Sequence, residues 1–395
     1  MLYKLTRKVV YNVMWLFYPL LLAIKRDKSI WVFGGKFNKY YDNVKYMFEY
    51  VHEHEDTIRA IWITGSKELK KELEAKGYEV KLRYSLSGLY YAAKAGAYLY
   101  SFEPNDINLW LRKGALQLNL WHGVGLKKIG NDVSHGLNSF MFDPKTPKQK
   151  VISRLHSPQM LDRSFYMLST SKTMQEIYSK AFLLPKEQVI IEGYPRLKPF
   201  YDDSPKPKEW MGFDNVAIYM PTFRDNDPLF LKKAIPDPEA LNEHCKRNNL
   251  LFLFKLHPIT PIEDSNQFEG YSNLKVLPHF GDIHETIKHT DILITDYSSI
   301  LIDYAVLKKP ILIYAYDYEH YKANNRDFYF DFDDITGGKQ LINFDQLMKG
   351  VATAQEHQIP GERLFDKFWE KDSENASQEI STWLKNKLDQ KSSLS

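Results

Sequence analysis

The feature that most constrains this 395-residue chain is a repeating alternation of short, almost wholly apolar runs with amphipathic segments of helical period. Runs of four to eight apolar residues that do not alternate with polar ones suit strands covered on both faces. Strands joined through helices must run parallel. In the first half the runs are IWVFGG (30–35), IRAIWIT (58–64), AYLYS (97–101), LQLNLWHG (116–123) and MLSTS (167–171), with helices expected over 41–52, 67–76 and 86–95. A Pro- and charge-rich stretch, FYDDSPKPKEWM (200–211), interrupts the pattern, which then resumes. The second series is NVAIYMPTF (215–223), LLFLFKLHP (250–258), LKVLP (274–278), DILITDYSS (291–299) and PILIYAYD (310–317), with helices near 238–247, 283–288 and up to Leu307. The expectation is an α/β protein with two Rossmann-like domains, 29–200 and 201–350, whose parallel sheets face a ligand cleft at the strands' carboxyl ends. Helices in 351–395 are expected to cross back onto the first domain.

Residues 1–28 stand apart. The run VVYNVMWLFYPLLLAI (9–24) is flanked by Lys4, Arg7, Lys8, Lys25, Arg26 and Lys28. It is short for a membrane span of about 20 residues, and Asn12 and Pro19 interrupt it. Two readings stay open: an interfacial helix on an anionic inner leaflet, or a helix packed on its own protein. Fifty-three Lys and Arg against 50 Asp and Glu give a formal charge of +3, which does not indicate a nucleic-acid partner. One cysteine, Cys245, excludes an internal disulfide and a multi-cysteine metal site.

Candidate chemistry gathers where strands end. In TDYSS, Asp296, Ser298 and Ser299 sit between an apolar strand and a helix start, an arrangement that serves equally as a cap or as a pyrophosphate site. His257 follows a strand and is held by Pro258. Thr222, Arg224 and Asp225 end another strand, where a guanidinium can chelate phosphate oxygens or pair with a neighbouring Asp. In the first half, His122 follows Trp121 at a strand end, Gly123 and Gly125 allow close backbone approach, and Lys127 and Lys128 open a basic stretch.

With these residues in place, the chain resembles the CDP-glycerol:poly(glycerophosphate) glycerophosphotransferase family of teichoic-acid and capsule enzymes, which have a GT-B fold. The resemblance rests on five ordered motifs: WHG with LKKIG (121–123, 126–130), EGYPR (192–196), YMPTFRD (219–225), FKLHP (254–258) and TDYSSILIDYAVLKKP (295–310). It implies transfer of glycerol phosphate, or ribitol phosphate, from CDP-glycerol or CDP-ribitol to a hydroxyl of an undecaprenyl-linked or polysaccharide acceptor, with release of CMP. By position, His122 resembles the general base on the acceptor hydroxyl, and His257, Arg224, Ser298 and Ser299 resemble donor pyrophosphate ligands. Asp296, Asp303 and Arg196 are expected on the nucleotide side or in holding that loop. Thr222, Gly123 and Lys127 complete the candidate substrate-binding set.

Two departures bear on the acceptor and the polyol: Val124-Gly125 stands where the family often has Thr-Pro, and Leu197-Lys198 where it commonly has Asn-Asp. Because the candidates are cationic or hydroxylic, no obligatory protein-held metal or other cofactor is expected, Asp296 being the carboxylate best placed to overturn that. The expected location is the cytoplasmic face of the membrane, peripherally bound; homo-oligomerisation is left open. A GT-B glycosyltransferase using a nucleotide sugar and a non-catalytic assembly protein are the competing readings.

Overall fold

The structure, a computed structural model, describes residues 18–133, 145–156, 163–224, 227, 229–257, 260, 262–279, 281–324 and 327–393. The chain forms two compact units. The first comprises the residues up to His122, Ile129–Lys198 and the segment from Trp369 onward; the second comprises Gly123–Lys128 and Pro199–Phe368.

The first unit is built on a seven-stranded sheet, all parallel, in the order β3-β2-β1-β4-β5-β6-β7. Its strands are β1 (Asp27–Gly34), β2 (Arg59–Thr64), β3 (Val80–Leu82), β4 (Ala95–Tyr100), β5 (Leu116–Asn119), β6 (Tyr166–Ser169) and β7 (Val189–Ile191). The central strands are apolar because helices cover both faces: all of β4, and β1 from Ile30 onward, are buried. The helix Asp42–His54 places Val44, Met47, Phe48 and Val51 on one buried stripe, and Phe48 meets Phe33 and Trp62 edge-on at 5.3 and 5.4 Å. The final helix, Ala376–Ser393, lies against this unit. Lys385 Nζ donates to both Glu55 carboxylate oxygens at 2.9 Å, and the Ser381 hydroxyl donates to the same carboxylate.

The second unit repeats the plan with six parallel strands in the order β10-β9-β8-β11-β12-β13. They are β8 (Asn215–Met220), β9 (Leu250–Phe254), β10 (Leu274–Val276), β11 (Ile292–Thr295), β12 (Ile311–Tyr314) and β13 (Gln340–Leu341). The helix Pro238–Arg247 starts where the sequence demands it: the Asp237 carboxylate accepts from Ala240 N at 2.9 Å, and Pro238 occupies the first turn. In each sheet the strand order reverses once, between β1 and β4 and between β8 and β11. At such a switch point the loops diverge and leave a crevice at the carboxyl ends.

Most of Val9–Ile24 lies outside the described residues. Its end, Tyr18–Ala23, is a short 3₁₀ segment with Tyr18 buried and Leu20 and Leu22 exposed. Among the described residues no helix is long and apolar enough to cross a membrane. Arg26 just beyond is structural, its guanidinium donating to the carbonyls of Ala92, Leu111 and Lys113.

Candidate functional site

Each switch point carries a polar cluster, one in each unit.

In the first unit, β5 delivers Trp121 and His122. The turn is tightly bent: Trp121 adopts φ 55° and Gly123 φ 142°, conformations that cost energy in a non-glycine residue and that persist only where surroundings enforce them. Enforcement comes from Asn43, fully buried, whose amide donates to the carbonyls of Leu120 (2.9 Å) and Trp121 (3.3 Å) and whose oxygen accepts from Arg196 N (3.1 Å). His122 Nδ1 lies 3.0 Å from the Ser101 carbonyl at the end of β4. A carbonyl only accepts, so Nδ1 carries the proton, and Nε2 is the ring's basic lone pair. Burial pushes the imidazole below its ordinary value, with Lys36 and Arg196 acting in the same sense and Asp42 and the Ser101 carbonyl against it. A neutral imidazole in a fixed tautomer is the state a general base requires.

In the second unit the centre is Arg224, 4% exposed and engaged through every nitrogen of its guanidinium. Nε and Nη2 fork onto Asp317 at 2.8 and 2.9 Å, Nη2 also reaches Asp296 at 2.9 Å, and Nη1 donates to the Thr222 carbonyl. Asp296 accepts in addition from the backbone N–H of Thr222 and Tyr297, and the Tyr297 hydroxyl donates to Asp317 at 2.9 Å. Tyr297 and Tyr321 stack at 3.9 Å, each ring within 5 Å of the guanidinium carbon. Burial opposes the charge on Arg224, but Asp296 and Asp317 outweigh it and hold the group above its ordinary value. The result is a staple across the ends of β8, β11 and β12.

In this geometry Arg224, expected as a donor-phosphate ligand, is paired with two carboxylates and buried, the arrangement of a residue that holds its loop. Asp296, 0% exposed, is likewise a holding group. Asp303 is 1% exposed and accepts from His284 Nε2 at 3.0 Å. Arg196 belongs to the first unit, where it pairs with Asp42 at 3.1 Å, so it supports the His122 turn. Of the remaining candidates, Ser298 and Ser299 are half-buried, the Ser298 hydroxyl accepting from Ile300 N at 3.4 Å; His257 is exposed, its ring 6.0 Å from Phe223; and the buried Thr222 hydroxyl has no partner among the described residues. Ser299 provides no side-chain cap to the helix Ile300–Ala305. Lys127, in the second unit, donates to the Tyr321 hydroxyl and bridges to Phe328. Asp225 falls outside the described residues.

Sequence reading missed Asp42, Asn43, Ser101, Asp317 and Tyr297. Signals were there for Asp317 and Ser101, which end the apolar runs PILIYAYD and AYLYS, and for Tyr297, which lies within TDYSS.

A family model described as CDP-Glycerol:Poly(glycerophosphate) glycerophosphotransferase matches residues 16–384. The chain is 27% identical over 410 residues to the teichoic acid glycerol-phosphate transferase of Staphylococcus aureus, covering 95% of this chain and 97% of that one. It is 26% identical over 371 residues to the teichoic acid poly(glycerol phosphate) polymerase of Staphylococcus epidermidis, covering 88% of this chain and 49% of that one, so it spans about half of that polymerase. Among solved structures, the wall teichoic acid polymerase TagF superposes with a TM-score of 0.75 at 23% identity over 99% of this chain and 98% of that one, which establishes the shared fold.

Proposed function

The chain belongs to the CDP-glycerol:poly(glycerophosphate) glycerophosphotransferase family, and from that membership we propose that it transfers a polyol phosphate from CDP-glycerol or CDP-ribitol to a hydroxyl of a lipid-linked or glycan acceptor in teichoic-acid or capsule synthesis. The observation that carries the reading is His122, neutral and locked by Ser101 in the tautomer that leaves Nε2 basic. The acceptor oxygen attacks the polyol-bearing phosphorus as its proton passes to Nε2. A new oxygen–phosphorus bond forms, the pyrophosphate bridge breaks, and CMP leaves with the bonding electrons. Such a transfer needs positioning and charge stabilisation more than covalent help. The second unit is assigned the donor, with Ser298, Ser299, Thr222 and His257 as its contacts and Arg224 fixing the loops that present them. Purified protein given CDP-glycerol, CDP-ribitol and a sugar-nucleotide panel, with and without an envelope extract, is expected to release CMP from a CDP-polyol, stimulated by acceptor. Nucleotide release from a sugar donor only would make it a glycosyltransferase.

The pH profile follows from the same residue. The base acts deprotonated, and burial lowers its pKa, so the acid limb of kcat/KM should lie below the ordinary imidazole value of about 6.5 and disappear in His122→Ala. A limb above that value would contradict the assignment.

We also propose that no obligatory metal is held by the protein. Asp296, the carboxylate best placed in the sequence, is committed to Arg224 and two backbone amides. Undiminished turnover in chelator is expected; activity lost in chelator and restored by a single divalent ion would overturn this.

Peripheral attachment at the cytoplasmic face is proposed through the amino-terminal segment, whose described end exposes Leu20 and Leu22 beside Lys25 and Lys28. Because Tyr18 and Arg26 pack into the first unit, the informative truncation stops at residue 17. It should weaken binding to anionic vesicles, with Leu20, Leu22, Lys25 and Lys28 retaining part of it, and spare CMP release; unchanged binding would place the attachment elsewhere.

A further inference from the structure

One cation beside His122 has so far figured only as a charge that disfavours the imidazolium. Lys36 follows β1 at the switch point of the first unit, in a loop shaped by close backbone contacts. A Cβ on Gly34 would meet the Asp106 carbonyl oxygen at 2.5 Å, and Phe37, Asn38 and Asp42 all adopt positive φ. Ser101 ties this loop to the base: its hydroxyl accepts from Lys36 N at 3.3 Å, while its carbonyl holds His122 Nδ1. Phe102 touches both side chains, with Lys36 Nζ 4.2 Å from the ring centroid and the His122 ring 5.4 Å away.

The Lys36 ammonium is half-buried and has neither a hydrogen bond nor an ion pair among the described residues. The nearby carboxylates do not complete it. Asp42 is paired with Arg196, and the Asp106 carboxylate accepts from the backbone N–H of Phe102 and Glu103. Burial raises Glu103 and pushes Asp106 up to about 7, so both are weakened as counter-ions. A partly desolvated ammonium held over an aromatic face, with Asp106, Asp42 and Glu103 near it but none in direct contact, has room for an anionic ligand.

We infer that Lys36 binds an anionic phosphate on the acceptor, adjacent to the hydroxyl that His122 deprotonates, and so selects acceptors that end in a polyol-phosphate unit over neutral ones. The inference rests on the phosphotransfer reading above.

The test compares the wild type, Lys36→Gln and Lys36→Arg on three reactions with one CDP-polyol: transfer to glycerol 3-phosphate or a short polyol-phosphate oligomer, transfer to glycerol, and donor hydrolysis without acceptor. Lys36→Gln is expected to raise the KM for the phosphate-bearing acceptor roughly 10- to 100-fold, the range for loss of a charge-assisted contact. Its kcat, its KM for the CDP-polyol, transfer to glycerol and donor hydrolysis should stay near wild type, and Lys36→Arg should restore most of the loss. Equal losses on charged and neutral acceptors, a rise confined to the donor KM, or no change would each overturn the inference. Absence of CMP release by the wild type would instead refute the phosphotransfer reading itself.

Discussion

His122→Ala is expected to lower acceptor-stimulated CMP release by roughly 10²–10⁴ while leaving CDP-polyol affinity within a few-fold of wild type. The magnitude is that of a positioned general base. The split between turnover and binding follows from structure, since His122 sits in the first unit and the proposed donor contacts sit in the second. His122→Asn sharpens the result: it retains a group able to donate to the Ser101 carbonyl but has no imidazole lone pair, so it should be as slow as His122→Ala. Donor affinity measured by calorimetry alongside the rate checks both halves. Wild-type turnover in either variant would remove His122 from the mechanism.

The second large effect concerns stability. Arg224→Ala strands Asp296, which is wholly buried, and Asp317 without a counter-charge. Breaking a buried pair by deleting one partner costs about 3–5 kcal/mol, because the remaining charge stays desolvated. Arg224→Lys should recover only part of this, since one ammonium cannot fork onto Asp317 while reaching Asp296 and the Thr222 carbonyl. Denaturation curves for the three proteins measure the effect. A direct phosphate ligand would behave oppositely, losing donor affinity at unchanged stability, and that outcome would reinstate the role suggested by sequence.

The contrast between these two residues shows what could be read from the amino acids. His122 was visible because a strand-end residue projects from its own segment, and the apolar run that delivers it is local. Arg224 was visible as a strand-end residue too, but its partner Asp317 lies 93 residues away, beyond the end of β12, and nothing in YMPTFRD announces it. Arg196 was expected on the nucleotide side or in holding that loop, and nothing in EGYPR announces that it turns back to Asp42, 154 residues upstream.

The ten apolar runs all proved to be strands, because burial on both faces writes an uninterrupted apolar signature. Their ends were read too long: Leu256 and Tyr297 remain buried after the ladder has stopped at Phe254 and Thr295. The strands that escaped notice, β3, β7 and β13, are two or three residues long, lie at or beside sheet edges, and are only partly buried, so they leave no period to detect. Lys36 and Asn43 were silent for a related reason. They act from loops and helix starts, and their meaning depends on Ser101 and Trp121 being brought beside them by the sheet.

The most direct test of the account follows the distal phosphorus of a CDP-polyol carrying a label on that atom, with acceptor present. Phosphotransfer predicts that the label moves into the acceptor and that the released nucleotide is unlabelled CMP. Label retained in a released nucleoside diphosphate would mean that the bond to the polyol carbon is the one that breaks, and the protein would then be a glycosyltransferase-like enzyme on a glycerophosphotransferase fold.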